Sequence, residues 1–124
     1  MNQTAASALA GLRVMVVEDE YFLADDIARV LAREGAEVLG PVPTVDRARA
    51  LLDGATNAAV LDIDLRGEPV FPIADLLAER DARFVFVSGM ERRNLPKRFA
   101  GRPHLHKPVS GADVVKALGL AVIT

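Results

Sequence analysis

The same phrase occurs five times along 124 residues: a short apolar run, a polar or charged residue that ends it, then apolar residues at helical spacing. Leu12 to Val17 is the first run, stopped by Glu18-Asp19-Glu20, and Leu23, Ile27, Val30 and Leu31 then mark one buried face of a helix that begins near Tyr21 and ends at Gly35. Ala36 to Gly40 is the second strand. Pro41 and Pro43 predict a turn there, with Thr44 capping a helix on Val45, Ala48, Leu51 and Leu52 that Gly54 closes. Ala58 to Leu61 stops at Asp62, and the loop Arg66-Gly67-Glu68-Pro69 leads into a third helix on Ile73, Leu76 and Leu77. Arg83 to Val87 halts at Ser88-Gly89. Pro96, in the middle of Glu91 to Ala100, predicts a short or broken fourth helix. Pro103 to His106 is a brief fifth strand ending at Lys107-Pro108, and Ser110 caps a last helix on Val114, Val115 and Leu118.

Alternating strands and helices require crossover connections, so the strands form a parallel sheet covered on both faces. Five such units predict an α/β fold of the flavodoxin-like, doubly wound (βα)5 kind with strand order 2-1-3-4-5, whose switch point lies between strands one and three. Glu18 and Asp19 then stand beside Asp62. Strands four and five bring Ser88 and Lys107 to the same rim, where ligands bind in open α/β sheets.

The length suits one domain, expected over residues 11–124 behind a loosely ordered leader of residues 1–10. A formal net charge of -2 gives no electrostatic reason for nucleic-acid or anionic-membrane binding. No apolar run approaches the roughly 20 residues that span a bilayer, and no basic residue precedes the small residues of the opening stretch, as a secretion signal would have. With no cysteine for disulfides or thiolate metal sites, a cytoplasmic location is the expectation.

Three carboxylates roughly 5 Å apart repel by about 3 kcal/mol per pair at an effective dielectric near 20. A divalent ion would neutralise them, and an all-oxygen site with open positions suits Mg²⁺. Lys107 adds a compact positive charge for a phosphate oxygen, and the Ser88 hydroxyl a donor for another. Asp62 is left as a nucleophile, which implies transfer of a phosphoryl group to its carboxylate.

From Leu12 to Leu118 the chain resembles the receiver domains of bacterial two-component response regulators, on the motifs Val16-Val17-Glu18-Asp19-Glu20, Val60-Leu61-Asp62, Val87-Ser88-Gly89 and His106-Lys107-Pro108. The resemblance implies that Glu18 and Asp19 are the acidic metal pair, Asp62 the phospho-acceptor, and Asp64 a metal ligand through its backbone carbonyl. It makes Ser88 the switch hydroxyl and Lys107 the phosphate-binding lysine, with Pro108 on a cis peptide. Phosphate would come from a histidine kinase or a histidine phosphotransfer protein. The response would be a repacking of the face formed by helix four, strand five and helix five. Asp64 and Met90 occupy positions that tune the lifetime of the phosphoryl group in the family. Two departures stand out. Arg66 replaces the usual proline four residues after the acceptor, so the loop is expected to take another path. His104 replaces the usual tyrosine or phenylalanine of the switch, three residues before the lysine.

Single features have plain readings: a solvated face for the basic cluster of Arg92, Arg93, Lys97, Arg98 and Arg102, packing for His104, a turn for any one strand-end aspartate. Four strands ending together outweigh the last of these. The sharper reading of the basic cluster is an acidic partner surface. Two rival functions share the residues. A haloacid dehalogenase-like phosphatase would use Asp62 and Asp64, but its second acidic pair follows the lysine, whereas Glu18 and Asp19 come first here. A pseudo-receiver would keep the fold as a binding module, against the intact set of Glu18, Asp19, Asp62, Ser88 and Lys107. With no stretch left for an output domain, the expectation is a free-standing receiver that relays phosphate, drains it, or switches a protein target.

Overall fold

The computed structural model describes residues 8–89 and 95–121. Five parallel strands, β1 (Arg13–Val17), β2 (Glu37–Val42), β3 (Ala58–Asp62), β4 (Arg83–Ser88) and β5 (His104–His106), form one sheet in the order β2-β1-β3-β4-β5. Among the described residues, four α-helices accompany them: α1 (Tyr21–Arg33), α2 (Val45–Leu51), α3 (Phe71–Glu79) and α4 (Gly111–Ala121). This is the doubly wound flavodoxin-like order expected from the sequence.

The period of two along each strand divides the core. Met15, Val17, Ala59, Leu61, Phe84 and Phe86 face α2 and α3, where they meet Ala48, Ile73 and Leu77. Val14, Val16, Ala58, Val60, Val85 and Val87 face α1 and α4, meeting Ile27, Leu31, Val114 and Leu118. Strands β1, β3 and β4 are buried on both faces, which explains their unbroken apolar runs. On the first face Phe84, Phe86 and Phe99 make mutual edge contacts with ring centroids 5.4–6.0 Å apart, and Phe71 stacks on Phe99 at 5.9 Å. Leu9 is buried beside Leu12 on the other face, and its N–H donates to the Glu34 carbonyl.

Local signals set most of the element ends. Gly35 is left-handed with φ of 98° after α1. The Thr44 hydroxyl accepts from the Arg47 N–H at 3.1 Å. Ser110 and Asp113 cap α4 reciprocally: the Asp113 N–H donates to Ser110 Oγ at 3.2 Å, and the Ser110 N–H donates to Asp113 Oδ2 at 2.9 Å. The start of α4 is held close to α1, where the Gly111 N–H donates to Asp26 Oδ2 at 2.7 Å.

Two expectations are corrected. Pro41 does not turn the chain, because β2 continues through it to Val42; β2 is an edge strand with no neighbour requiring the missing N–H, and a register shift opposite Met15 and Val17 absorbs the irregularity. Helix α2 stops at Leu51 with extended Leu52 as its cap, before Gly54 is reached. In the stretch before β5 the described residues hold a 3-10 turn, Lys97–Phe99, entered from Pro96, in keeping with a short or broken fourth helix, and residues 91–94 of that stretch lie outside the described residues.

Candidate metal and phosphoryl site

Parallel strands all point their carboxyl ends at one rim, and the sequence puts its charges there. Glu18 and Asp19 come directly after β1, Asp62 ends β3, Ser88 ends β4 and Lys107 comes directly after β5. One carboxylate oxygen from each of Glu18, Asp19 and Asp62 lies within 4.8 Å of the others. Lys107 Nζ reaches Glu18 Oε2 at 3.1 Å, Asp62 Oδ2 at 3.2 Å and Glu20 Oε1 at 3.2 Å. The Glu20 N–H donates to Glu18 Oε2 at 3.0 Å, and the Asp64 N–H donates to Asp62 Oδ1 at 3.1 Å. The Lys107–Pro108 peptide is cis.

Burial makes this cluster costly. Glu18, with 1 % of its side chain exposed, is pushed up to about 7 by loss of water and by the charge of Asp62 beside it. Burial raises Asp62 as well, against the hydrogen bonds and the Lys107 charge that favour its ionised form. Burial alone would lower Lys107, but the charges of Asp62 and Glu18 hold it above the usual lysine range. The second oxygen of Glu18, Oε1, is buried with no hydrogen-bond partner among the described residues. A buried carboxylate oxygen without a donor, beside two further carboxylates in an all-oxygen set, fits a hard divalent cation of the Mg²⁺ class.

The other expected residues take up varied positions around this cluster. Ser88 is fully buried, with Oγ 3.3 Å from His104 Nε2, so the two residues assigned to the switch are in contact. The His104 ring stacks on His106 with centroids 4.8 Å apart. Asp64 is exposed, and its Oδ1 accepts from the Gly67 N–H at 2.7 Å. Met90, Arg92 and Arg93 lie outside the described residues, as do residues 1–7 of the expected leader. Two other members of the basic cluster serve the fold itself. Arg98 makes two hydrogen bonds to Asp75, at 2.8 and 3.0 Å, and Arg102 lies 4.0 Å from the centroid of the Phe84 ring while donating to the Ala82 carbonyl.

Sequence reasoning missed two contacts. Glu20 shares Lys107, which the spacing Glu18-x-Glu20 beside a lysine-bearing rim could have suggested. Arg66, in place of the family's proline, sits at φ 57° in a tight turn between two-residue strands, Asp64–Leu65 and Glu68–Pro69, and its Nε lies 3.4 Å from Asp19 Oδ2. The loop after β3, for which another path is expected, forms this small ribbon.

No protein-family model matches the chain. Among solved structures it is similar to SdrG from Sphingomonas melonis Fr1, with 38% identity over 94% of this chain and 100% of that one and a TM-score of 0.79. It is also similar to the response regulator PhyR from Brucella abortus, at 27% identity over 98% of this chain and 51% of that one, with a TM-score of 0.76. The chain belongs to the response-regulator receiver domains. As a receiver domain it is a signalling module of two-component systems. A further relative of this receiver domain, the transcriptional regulatory protein PdtaR of Mycobacterium tuberculosis, is 27% identical over 96% of the chain, which spans 60% of that relative's length. No helix among the described residues is long and apolar enough to cross a membrane.

Proposed function

We propose that Asp62 accepts a phosphoryl group from the phosphohistidine of a histidine kinase or a histidine phosphotransfer protein, in a site completed by Mg²⁺. The observation that carries this is the grouping of buried Glu18 and Asp62 with half-buried Asp19 under Lys107, an arrangement that opposes stability unless a cation and an anion use it. Glu18, Asp19 and Asp62, with the backbone carbonyl of Asp64, would hold the metal. When bound, Mg²⁺ offsets carboxylate repulsion and the charge on the transferred oxygens. An Asp62 oxygen forms the new O–P bond as the donor's P–N bond breaks. The electron pair stays on the imidazole nitrogen, which takes a proton. Lys107 passes from the carboxylates to a phosphoryl oxygen, and the Ser88 hydroxyl donates to another.

Ser88 leaving His104 is the proposed switch, with the change carried to β5 and its flanks. Asp64 and Met90 set how long the phosphoryl group lasts. Residues 11–124 act as the receiver unit, in the cytoplasm, relaying phosphate, draining it, or switching a protein target. The phosphatase alternative is not favoured: the Asp64 carboxylate is engaged by the Gly67 N–H, and the acidic pair precedes the nucleophile.

Incubation with acetyl phosphate and Mg²⁺ tests the reading. Intact-mass measurement should reveal one phosphoryl group per chain, transient and lost on metal removal. Sustained turnover of p-nitrophenyl phosphate would instead indicate the phosphatase, and no labelling by any donor would indicate a pseudo-receiver.

A further inference from the structure

Arg66 takes no part in the phosphoryl transfer proposed above, yet it stands at the mouth of the site. Its backbone is fixed: Arg66 and Gly67 are both left-handed, at φ 57° and 92°, the turn is closed by the Gly67 N–H on Asp64 Oδ1 at 2.7 Å, and the Val70 N–H donates to the Ile63 carbonyl at 3.0 Å at its base. Such a turn favours Gly, Asn or Asp at its first central position, so backbone preference does not account for an arginine there. Its side chain is 74% exposed and, among the described residues, is held by a single ion pair to Asp19, at 3.4 Å. A pinned base with a loosely held, charged tip is the build of an arm that changes partners. Asp19 is itself a carboxylate away from Asp62.

The charges indicate which partner comes next. Among the described residues, the three carboxylates are shared between two cations: Lys107 serves Glu18 and Asp62, and Arg66 serves Asp19. A divalent ion held by these three carboxylates would compete with Arg66 for Asp19. After phosphorylation, Glu18, Asp19, Glu20 and a doubly charged acyl phosphate carry five negative charges against three positive charges from Mg²⁺ and Lys107. Arg66 supplies a fourth positive charge. A guanidinium also matches phosphate oxygens in planar, two-pronged fashion, as an ammonium does not.

We propose that Arg66 is a further phosphoryl-binding residue of this receiver, an internal competitor that releases Asp19 when the metal enters and then contacts the oxygens of the phosphoryl group. The inference rests on the phospho-acceptor reading above. It predicts effects of opposite sign on two measurements. By calorimetric titration of the full chain at low salt, R66A binds Mg²⁺ about threefold more tightly, because a screened surface ion pair no longer competes for Asp19. In saturating Mg²⁺, the same variant binds beryllofluoride about tenfold more weakly, and R66K recovers only part of that loss. Unchanged beryllofluoride affinity in R66A, or a fall in both affinities together, overturns the proposal while leaving the receiver reading intact. Failure of the wild-type chain to bind beryllofluoride with Mg²⁺ overturns both.

Discussion

Asp62→Asn is expected to lower Mg²⁺-dependent phosphoryl uptake by about a thousandfold or more while leaving the chain folded. The amide is no nucleophile, but it has the size of the carboxylate it replaces and leaves no cavity. Its carbonyl oxygen can still accept from the Asp64 N–H, which lies 3.1 Å from Asp62 Oδ1. Lys107 keeps its contacts with Glu18 and Glu20. One negative charge leaves the group of Glu18, Asp19 and Asp62 while Lys107 loses its contact with Asp62 Oδ2, so the metal-free variant should stay within about 1 kcal/mol of the parent at pH 8. Intact mass after acetyl phosphate treatment and urea unfolding measure the two quantities separately. Labelling of the variant to the parent's extent would remove Asp62 from its assigned role.

Stability without metal should fall as pH rises from about 5 to 8, and Mg²⁺ should reverse the fall. Glu18 ionises near its ordinary value of 4.5 in the unfolded chain but at about 7 in the folded one, so the folded state binds more protons between these values. Stability therefore declines with rising pH across that window, on the order of 2–3 kcal/mol for this group. Asp62, raised by burial, acts in the same direction. Lys107 is raised as well, but a lysine above its usual range loses its contribution only at alkaline pH beyond this window. Above pH 7 the carboxylates are ionised and available to a cation; near pH 5 Glu18 holds a proton that the metal must displace. The rise in melting temperature caused by Mg²⁺ should thus be several degrees larger at pH 8 than at pH 5. Glu18→Gln should flatten the metal-free profile and remove most of the metal response. A profile that rises with pH, or a Mg²⁺ effect independent of pH, would contradict this account of the site.

The sheet order and the rim positions of the main candidate residues were legible for the same reason. A strand buried on both faces must be apolar throughout, so the first charged residue after it marks the rim, and β1 and β3 announce Glu18 and Asp62 in this way. Caps at Thr44 and Ser110 were legible because a side-chain oxygen before an apolar stripe has few other uses. Pro41 misled because its meaning depends on whether the strand lies at an edge, which local sequence does not state. Arg66 was legible as a departure but not as a contact: its pairing with Asp19 depends on a left-handed residue in a two-residue turn, a conformation that arginine does not advertise. Glu20 went unassigned because its link to Lys107 joins residues 87 positions apart, across the rim rather than along the chain.

The most direct test of the central claim is to trap the acyl phosphate chemically. After treatment with acetyl phosphate and Mg²⁺, borohydride reduction converts a phosphorylated aspartate to homoserine, which peptide mass mapping locates. The account predicts homoserine at residue 62 alone, absent when the metal is omitted. Homoserine at Asp64 or Asp19, or a stable phosphate on Ser88 with residue 62 unmodified, would contradict it.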